Sequence, residues 1–90
     1  MAEYTYDGRG NRTREKYYDE EGNLVLCRSG YAMVYREYDA YNRVRYEKFY
    51  GSDGGVTALE DGTVAYRYEY DDNGELVRIR KFDWMDHELR

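Results

Sequence analysis

Alternating polar and apolar positions mark the parts of this chain that are typical of β-strands. In the clearest example, every second residue from Val64 to Tyr70 is Val or Tyr, and the residues between them are Ala, Arg and Glu. Such alternation places one set of side chains on each face of a sheet. Segments rich in Tyr, Val and Thr, which are enriched in strands, recur along the chain. The predicted strands are residues 3–6, 12–18, 32–38, 44–50, 63–70 and 76–82.

Turn-forming residues separate the predicted strands. Asp begins and Gly ends a four-residue turn at 7–10, 19–22 and 71–74, and Asn replaces the Gly at 39–42. Asp in the first position of a type I turn caps the backbone, and Gly or Asn in the fourth tolerates a left-handed conformation. This is the pattern of a three-residue hairpin loop with a glycine bulge. The turns at 51–54, 29–30 and 61–62 keep only part of this Asp-to-Gly pattern. The predicted turn residues are Asp7, Gly10, Asp19, Gly22, Asp39, Asn42, Gly54, Gly62, Asp71 and Gly74.

The strands and turns recur with a period of 32 residues. The pairs Tyr6-Asp7, Tyr38-Asp39 and Tyr70-Asp71 are evenly spaced, and most turn positions recur with them. Repeats of this length are typical of solenoids and arrays. We therefore expect a single domain over 1–90, with units at about 6–37, 38–69 and 70–83. The predicted fold class is all-β, an antiparallel meander of six to eight short strands in which about two and a half repeats form stacked β-hairpins.

Two kinds of segment leave alternatives open. Residues 24–28 and 56–60 fit either a short strand or one helical turn, because Thr57-Ala58-Leu59-Glu60 suits both. The tail 84–90 departs from the repeat pattern, as terminal units of repeat proteins often do. Its apolar residues Trp84, Met85 and Leu89 could cover the end of the sheet as a short helical cap, and the alternative is a frayed terminus.

Composition limits the core and the partners. The chain is 37% charged, and 13 tyrosines supply much of its 41% hydrophobic share, so we expect a shallow core made largely of tyrosine rings. Disorder is rejected because these aromatic residues recur in register. The net charge of −5 argues against a nucleic acid partner. There is no apolar run of membrane-spanning length and no signal peptide, and we expect no membrane partner. The single cysteine leaves the cellular location open.

The sequence offers little material for catalysis or for a cofactor. His87 is the only histidine. The sequence offers no convincing general base to activate Cys27 as a nucleophile, and we interpret Cys27 as a small buried residue. A glycine-rich phosphate loop and Cys/His metal spacing are both missing. Three acidic clusters suit calcium, at 19–21, at 71–72 with Glu75, and at Asp53 with Glu60 and Asp61. They do not match an EF-hand loop, and Asp before a type I turn has an adequate local role. We expect neither enzymatic activity nor a cofactor.

The tyrosines fall into two groups. Tyr6, Tyr38 and Tyr70, flanked by Tyr18, Tyr50 and Phe82, occupy equivalent positions, and we expect them to stack as an aromatic ladder across the sheet. Tyrosines without an aromatic counterpart in the neighbouring unit are better candidates for binding a sugar ring or a protein partner. These candidate ligand-binding residues are Tyr31, Tyr35, Tyr41, Tyr46 and Tyr66. We expect neighbouring Arg and Glu residues to form cross-strand charge pairs on a solvated face, with Arg36, Arg45, Arg67 and Arg78 beside Glu37, Glu47, Glu69 and Glu75.

The motif Tyr-Asp-x-x-Gly resembles that of the bacterial Tyr-Asp (YD) repeat proteins, among them the rearrangement-hotspot proteins. The resemblance rests on residues 4–11, 17–23 and 68–74 and extends to about Asp83. It implies strips of β-hairpins that coil into shells or extended surface structures, some of which enclose a toxin domain. Related tyrosine-rich repeats in cell-wall-attached proteins bind carbohydrate. The usual unit of the family is shorter than 32 residues, and its motif carries no catalytic residue.

Three functional hypotheses follow. The first is a non-catalytic repeat module with a structural or protein-interaction role, related to a larger bacterial YD-repeat protein. It would bind a protein partner or associate with itself through open sheet edges. The second is a carbohydrate-binding module that uses an exposed tyrosine strip. The third is a small acidic inhibitor of a protein with a basic groove.

Overall fold

A computed structural model describes residues 1–89 and contains one antiparallel sheet of seven strands. The strands lie in the sheet in chain order, and each pairs only with its neighbours in sequence. The all-β meander predicted from the sequence is therefore confirmed. The strands are β1 (Ala2–Tyr6), β2 (Arg12–Tyr17), β3 (Met33–Tyr38), β4 (Val44–Tyr50), β5 (Ala65–Tyr70), β6 (Leu76–Phe82) and β7 (Glu88–Leu89).

Turns of a single design recur along the chain. In each, the first residue's N–H donates to the fifth residue's carbonyl and the fourth residue's N–H donates to the first residue's carbonyl, over 2.7 to 3.2 Å. The fourth residue has a positive φ, as in a type I turn followed by a glycine bulge. The predicted turn glycines and Asn42 all occupy this position. The turns begin at Asp7, Asp19, Cys27, Asp39, Gly51, Leu59, Asp71 and Asp83.

Aspartate side chains complete all of these turns except the one that begins at Cys27, whose residues 27–31 contain no Asp. Oδ1 of Asp7 accepts hydrogen bonds from the N–H groups of Arg9 and Asn11, both at 2.9 Å. The same pair of bonds forms at the other turns that begin with Asp. In the turns that begin at Gly51 and Leu59, the third residue is an Asp whose Oδ1 accepts the fifth residue's N–H instead. The backbone geometry is thus kept with the capping side chain in a different place.

The segments at 24–28 and 56–60 are neither full strands nor helical turns. Leu24 forms an isolated bridge with Tyr18, and Val56 forms the equivalent bridge with Tyr50. Each segment adds one further backbone bond to the preceding strand and then enters the next turn. The turns that close on Gly30 and Gly62 begin within these segments, which leaves too few residues for a regular element.

The prediction of a helical cap or a frayed tail is wrong. Residues 83–87 form another turn of the same design, and β7 then pairs with the end of β6 through Glu88 and Phe82. Asp86 takes the left-handed position with a φ of 62°. The sequence did not indicate this turn because its fourth residue is Asp86, where most of the other turns have Gly. Arg90, the last residue of the predicted tail, lies outside the described residues.

The buried core is small and lies around the central strands. The buried apolar residues all belong to β3, β4 and β5 or to the residues just before them. Aromatic rings extend this core, with centroids 5.0 to 6.3 Å apart in neighbouring pairs. The buried apolar residues are Ala32, Val34, Phe49, Val64 and Ala65, and the ring series runs Tyr17, Tyr31, Phe49, Tyr66 and Tyr68.

The aromatic ladder predicted from Tyr6, Tyr38 and Tyr70 is not what forms. The Tyr38 hydroxyl donates to the carbonyl of Arg12 at 2.7 Å, and the Tyr70 hydroxyl donates to the carbonyl of Val44 at 2.6 Å. The strand register shifts just before each of these tyrosines, at the ends of β3 and β5. Their side chains therefore reach back to the preceding hairpin. These tyrosines connect units through hydrogen bonds.

Candidate functional site

The sheet has two faces, which residues paired directly across strands share. We call the face that carries Glu15, Val34, Phe49 and Tyr66 the packed face, because it holds the aromatic series and much of the core. The opposite face, called the open face, carries Arg14, Tyr35, Tyr46, Lys48 and Arg67.

An ionic strip crosses the packed face from β2 to β5. The Arg36 guanidinium bonds Glu15 through Nη1 at 2.5 Å and Glu47 through Nε at 2.7 Å. Tyr17 donates its hydroxyl proton to Glu15 at 2.7 Å, and Tyr68 donates its own to Glu47. The side chains of the three charged residues are only 10–21% exposed. Each charged group therefore has an oppositely charged partner in a poorly solvated part of the sheet, and Arg36 serves both carboxylates.

The strip also shifts the titration of its members. Burial alone would raise the pKa of Glu15, but the hydrogen bonds from Arg36 and Tyr17 outweigh it and the pKa is lowered. The hydrogen bond to the Glu15 carboxylate raises the pKa of Tyr17. Burial and the hydrogen bond to Glu47 raise the pKa of Tyr68. At neutral pH the Glu15 carboxylate therefore stays ionised and the phenols of Tyr17 and Tyr68 stay neutral, which are the forms that these hydrogen bonds require.

The five candidate ligand-binding tyrosines lie on three different surfaces. Tyr31 and Tyr66 lie on either side of Phe49 in the aromatic series, at 5.0 and 5.6 Å between centroids. Tyr35 and Tyr46 lie on the open face. Tyr41 lies in the turn between β3 and β4 and is 78% exposed. The structure does not bring the five together into one strip.

On the open face, arginines lie over tyrosine rings. The guanidinium carbon of Arg14 is 5.5 Å from the ring centroid of Tyr35, and that of Arg67 is 4.8 Å from the ring centroid of Tyr46. These cation–π contacts join β2 to β3 and β4 to β5. Two predicted charge pairs do form, Arg45 with Glu37 and Arg36 with Glu47. Arg67 was expected to form such a pair, but it packs against Tyr46 instead.

A groove of about 550 Å³ lies between two turns at one end of the sheet. The turn that begins at Asp39 forms one wall with Tyr41 and Arg43, and the turn that begins at Asp71 forms the other, beside Tyr70. Arg43 bonds Asp39 at 2.7 Å, and its guanidinium carbon lies 4.4 Å from the Tyr70 ring centroid. The groove thus combines an exposed aromatic ring with carboxylates and a fixed guanidinium.

No metal-binding cluster is found within residues 1–89, where no three His, Cys, Asp or Glu residues come together to hold an ion. The aspartates that suggested calcium cap their own turns. Cys27 is half-buried as the first residue of a turn, and His87 is the exposed fifth residue of another. In the same part of the chain, no helix has the length and apolar character to cross a membrane.

At each edge of the sheet, one partner of the tyrosine–carbonyl bond between units is missing. Tyr6 is equivalent to Tyr38 and Tyr70, but it lies on the edge strand β1 and is 54% exposed. Within residues 1–89, it donates to no carbonyl of a preceding unit. The carbonyl of Leu76 is equivalent to those of Arg12 and Val44, and no tyrosine of the described chain reaches it. One edge thus carries a free donor, and the other carries the matching acceptor.

Comparisons with family models, with curated proteins and with solved structures find no match for this chain. The relationship to YD-repeat proteins remains a prediction from the motifs.

Sequence reasoning predicted the turn residues and a charge pair of Arg36 with Glu47, but it placed that pair on a solvated face and missed the bond from Arg36 to Glu15 and the tyrosine–carbonyl bonds. The 32-residue period is the one signal in the sequence that points to these contacts. It relates Glu15 to Glu47 in the strip, and Arg12 to Val44 among the carbonyls that accept from tyrosine. Which face a strand residue occupies depends on pairing with a distant strand, and the spacing alone does not supply it.

Proposed function

We propose that this chain is a non-catalytic repeat module that binds protein partners by extending its sheet at the open edges. The observation that supports this most is the repeated bond from Tyr38 to Arg12 and from Tyr70 to Val44, whose next donor and next acceptor stand free at the two edges. The motif resemblance adds the proposal that such modules belong to larger bacterial YD-repeat proteins.

The chemistry of the edges supports the same function. An unpaired edge strand presents a row of backbone N–H and C=O groups that can pair with another chain. Natural proteins often block such an edge with proline, and this chain contains none. Beside the free acceptor, β6 carries three apolar residues that are 47–61% exposed, Leu76, Val77 and Ile79. An added strand would cover them.

Sedimentation velocity over a micromolar to millimolar concentration series tests this function. We expect the sedimentation coefficient to rise with concentration. The Ile79→Lys variant places a charge at the β6 edge and should reduce the rise. Leu26→Lys is the matched control, because Leu26 is also an exposed aliphatic residue but lies away from both edges. A strict monomer at every concentration would contradict self-association and leave unrelated proteins as the partners.

Carbohydrate binding is the second candidate, and the groove beside Tyr41 is the observation that favours it. A sugar ring can pack on an exposed aromatic face while its hydroxyls bond nearby carboxylates and amides, and Asp72 and Asn73 line the opposite wall. Titration with cell-wall oligosaccharides, followed by backbone chemical shifts, tests it. Binding lost in Tyr41→Ala but kept in Tyr4→Ala would support this candidate, and unchanged shifts in the groove would remove it.

A further inference from the structure

The repeat defines one specific geometry for edge association. We propose that a second copy of this chain docks head to tail, with its β1 beside β6 of the first copy. Each of its residues then occupies the position three repeat periods further along the array. This proposal rests on the proposed edge-binding function and specifies the partner and the register.

The backbone pairing follows from the two equivalent junctions inside the chain. Glu15 pairs with Val34 where β2 meets β3, and Glu47 pairs with Tyr66 where β4 meets β5. The next pair in the series joins Ile79 to the residue 32 positions after Tyr66, which is the place of Ala2 in the second copy. Alternate residues of a strand point their backbone groups to opposite sides. The backbone N–H and C=O groups of Ile79 and Ala2 point away from the sheet at its edges, because the equivalent residues inside the chain use these groups to bond across the junctions.

The side chains at this junction are complementary. Arg78 meets Glu3 of the second copy at the position where Arg14 meets Tyr35 and Tyr46 meets Arg67 inside the chain. An Arg–Glu pair therefore replaces two Arg–Tyr contacts. In the isolated chain, Arg78 reaches Glu88 at 3.1 Å, which holds its guanidinium near the edge. On the packed face, Tyr4 of the second copy lies beside the exposed Ile79, where Tyr68 lies beside Glu47 inside the chain.

The free donor and the free acceptor meet in the same arrangement. Inside the chain, each inter-unit bond runs from a tyrosine hydroxyl to the carbonyl 26 positions earlier, from Tyr38 to Arg12 and from Tyr70 to Val44. In the docked register, Tyr6 of the second copy stands in the same relation to Leu76. One placement thus satisfies the backbone pairing, the charge pair and the hydroxyl bond together.

β7 does not block this placement. In the part of the chain that the structure describes, β7 pairs with β6 only at Lys81 and Phe82, beyond the residues that would bind the second copy. The equivalent segments inside the chain, around Leu24 and Val56, lie beside the ends of β2 and β4 in the same way. Those segments leave 14–16 and 46–48 free to pair with the following strand. The contact is heterologous, so repeated docking gives open chains of copies.

Disulfide trapping tests the register. In a Cys27→Ser background, one protein carries Ala2→Cys and another carries Ile79→Cys. Directly paired residues of this type have Cα atoms about 5.5 Å apart, within the range that a disulfide spans. We expect the mixture to form a cross-linked dimer under mild oxidation, and the protein with both changes to form a ladder of multimers. Ala2→Cys alone should remain largely unlinked.

The outcomes separate the register from the function on which it rests. If the chain sediments as oligomers but the mixture gives no cross-link, the register is wrong while edge association stands. Efficient cross-linking of Ala2→Cys with itself would show head-to-head docking and overturn the proposal. A strict monomer in sedimentation would overturn the docking of a second copy in any register and leave unrelated proteins as the partners of the edges. Circular dichroism of each variant confirms that the sheet is intact.

A charge exchange provides the second test. Glu3→Arg places two arginines at the junction, and we expect its self-association to weaken roughly tenfold. Arg78→Glu should weaken it similarly, and an equimolar mixture of the two variants should regain most of it, because both junctions between unlike variants then carry an Arg–Glu pair. Both side chains are exposed, so neither change disturbs the core. Loss without recovery in the mixture would contradict the pairing of Glu3 with Arg78.

Discussion

Gly8 and Gly10 lie in the same turn, and a side chain at either would meet open space. Only Gly10 has a positive φ, of 84°. We expect Gly10→Ala to lower the free energy of unfolding by about 1 kcal/mol through backbone strain alone. Gly8→Ala is the matched control and should leave it unchanged or raise it slightly, because alanine restricts the unfolded chain. Urea denaturation of both variants checks this, and equal losses would contradict it.

Acid should unfold this protein by protonating carboxylates that are bonded only in the folded state. The N–H of Asn11 lowers the pKa of Asp7, the N–H of Asn23 does the same for Asp19, and the pKa of Glu15 is also lowered. A lowered folded-state pKa contributes stability above the unfolded value, and this stability is lost as the pH falls through the folded value. The melting temperature should therefore hold from pH 7 to about 5 and decline below about pH 4.5. A melting temperature that rises on acidification would contradict it.

The turn residues could be predicted because their chemistry is local. Asp7 and Gly10 act within five consecutive residues, so spacing alone identifies their roles. The role of Arg36 could not be predicted in the same way. It bonds Glu15 and Glu47 from two neighbouring strands, and that depends on pairing between residues far apart in sequence.

At the scale of strands and turns, the tyrosine–carbonyl bonds connect one unit to the next. Tyr38→Phe removes the bond to Arg12 and should cost about 1 kcal/mol of folding free energy. Tyr6→Phe makes the same chemical change at a position without such a bond, so monomer stability should be unaffected. Its effect should appear in self-association instead. Thermal denaturation in dilute solution compares the two, and equal destabilisation would contradict this role.

The ionic strip makes the second contribution at this scale. Arg36→Met leaves Glu15 and Glu47 without their common partner in a poorly solvated place, and we expect a loss of about 2 kcal/mol. Arg45→Met breaks an ion pair whose arginine is 59% exposed, and should cost under about 0.5 kcal/mol. Chemical denaturation of both variants gives the comparison. Similar losses would contradict the special role of the strip.

The elements differed in how well the sequence predicted them. The bounds of β4 and β6 were predicted correctly, because turn residues enclose each of them. The tail was misread because Asp86 conceals the glycine position and because Trp84 and Met85 suggested apolar packing. Both residues are in fact exposed in the turn that precedes β7.

At the scale of the whole molecule, the chain is a single sheet whose core is confined to its central strands. At one edge of the sheet, β1 pairs with a strand on one side only, and near the other edge β6 does the same apart from its short pairing with β7. An added strand at either edge would supply the missing side. The same 32-residue repeat that builds the inner junctions specifies what that strand should carry.

Amide hydrogen exchange at increasing protein concentration is the direct test of whether a second copy extends the sheet at the edges formed by β1 and β6. We expect the amides of Ala2 and Ile79 to become protected as the protein concentration rises, since both join the new junction. The amides of Val34 and Tyr66, the internal equivalents of Ala2, should already be protected and should not change. Exchange at Ala2 and Ile79 that stays fast at every concentration would contradict the extension of the sheet.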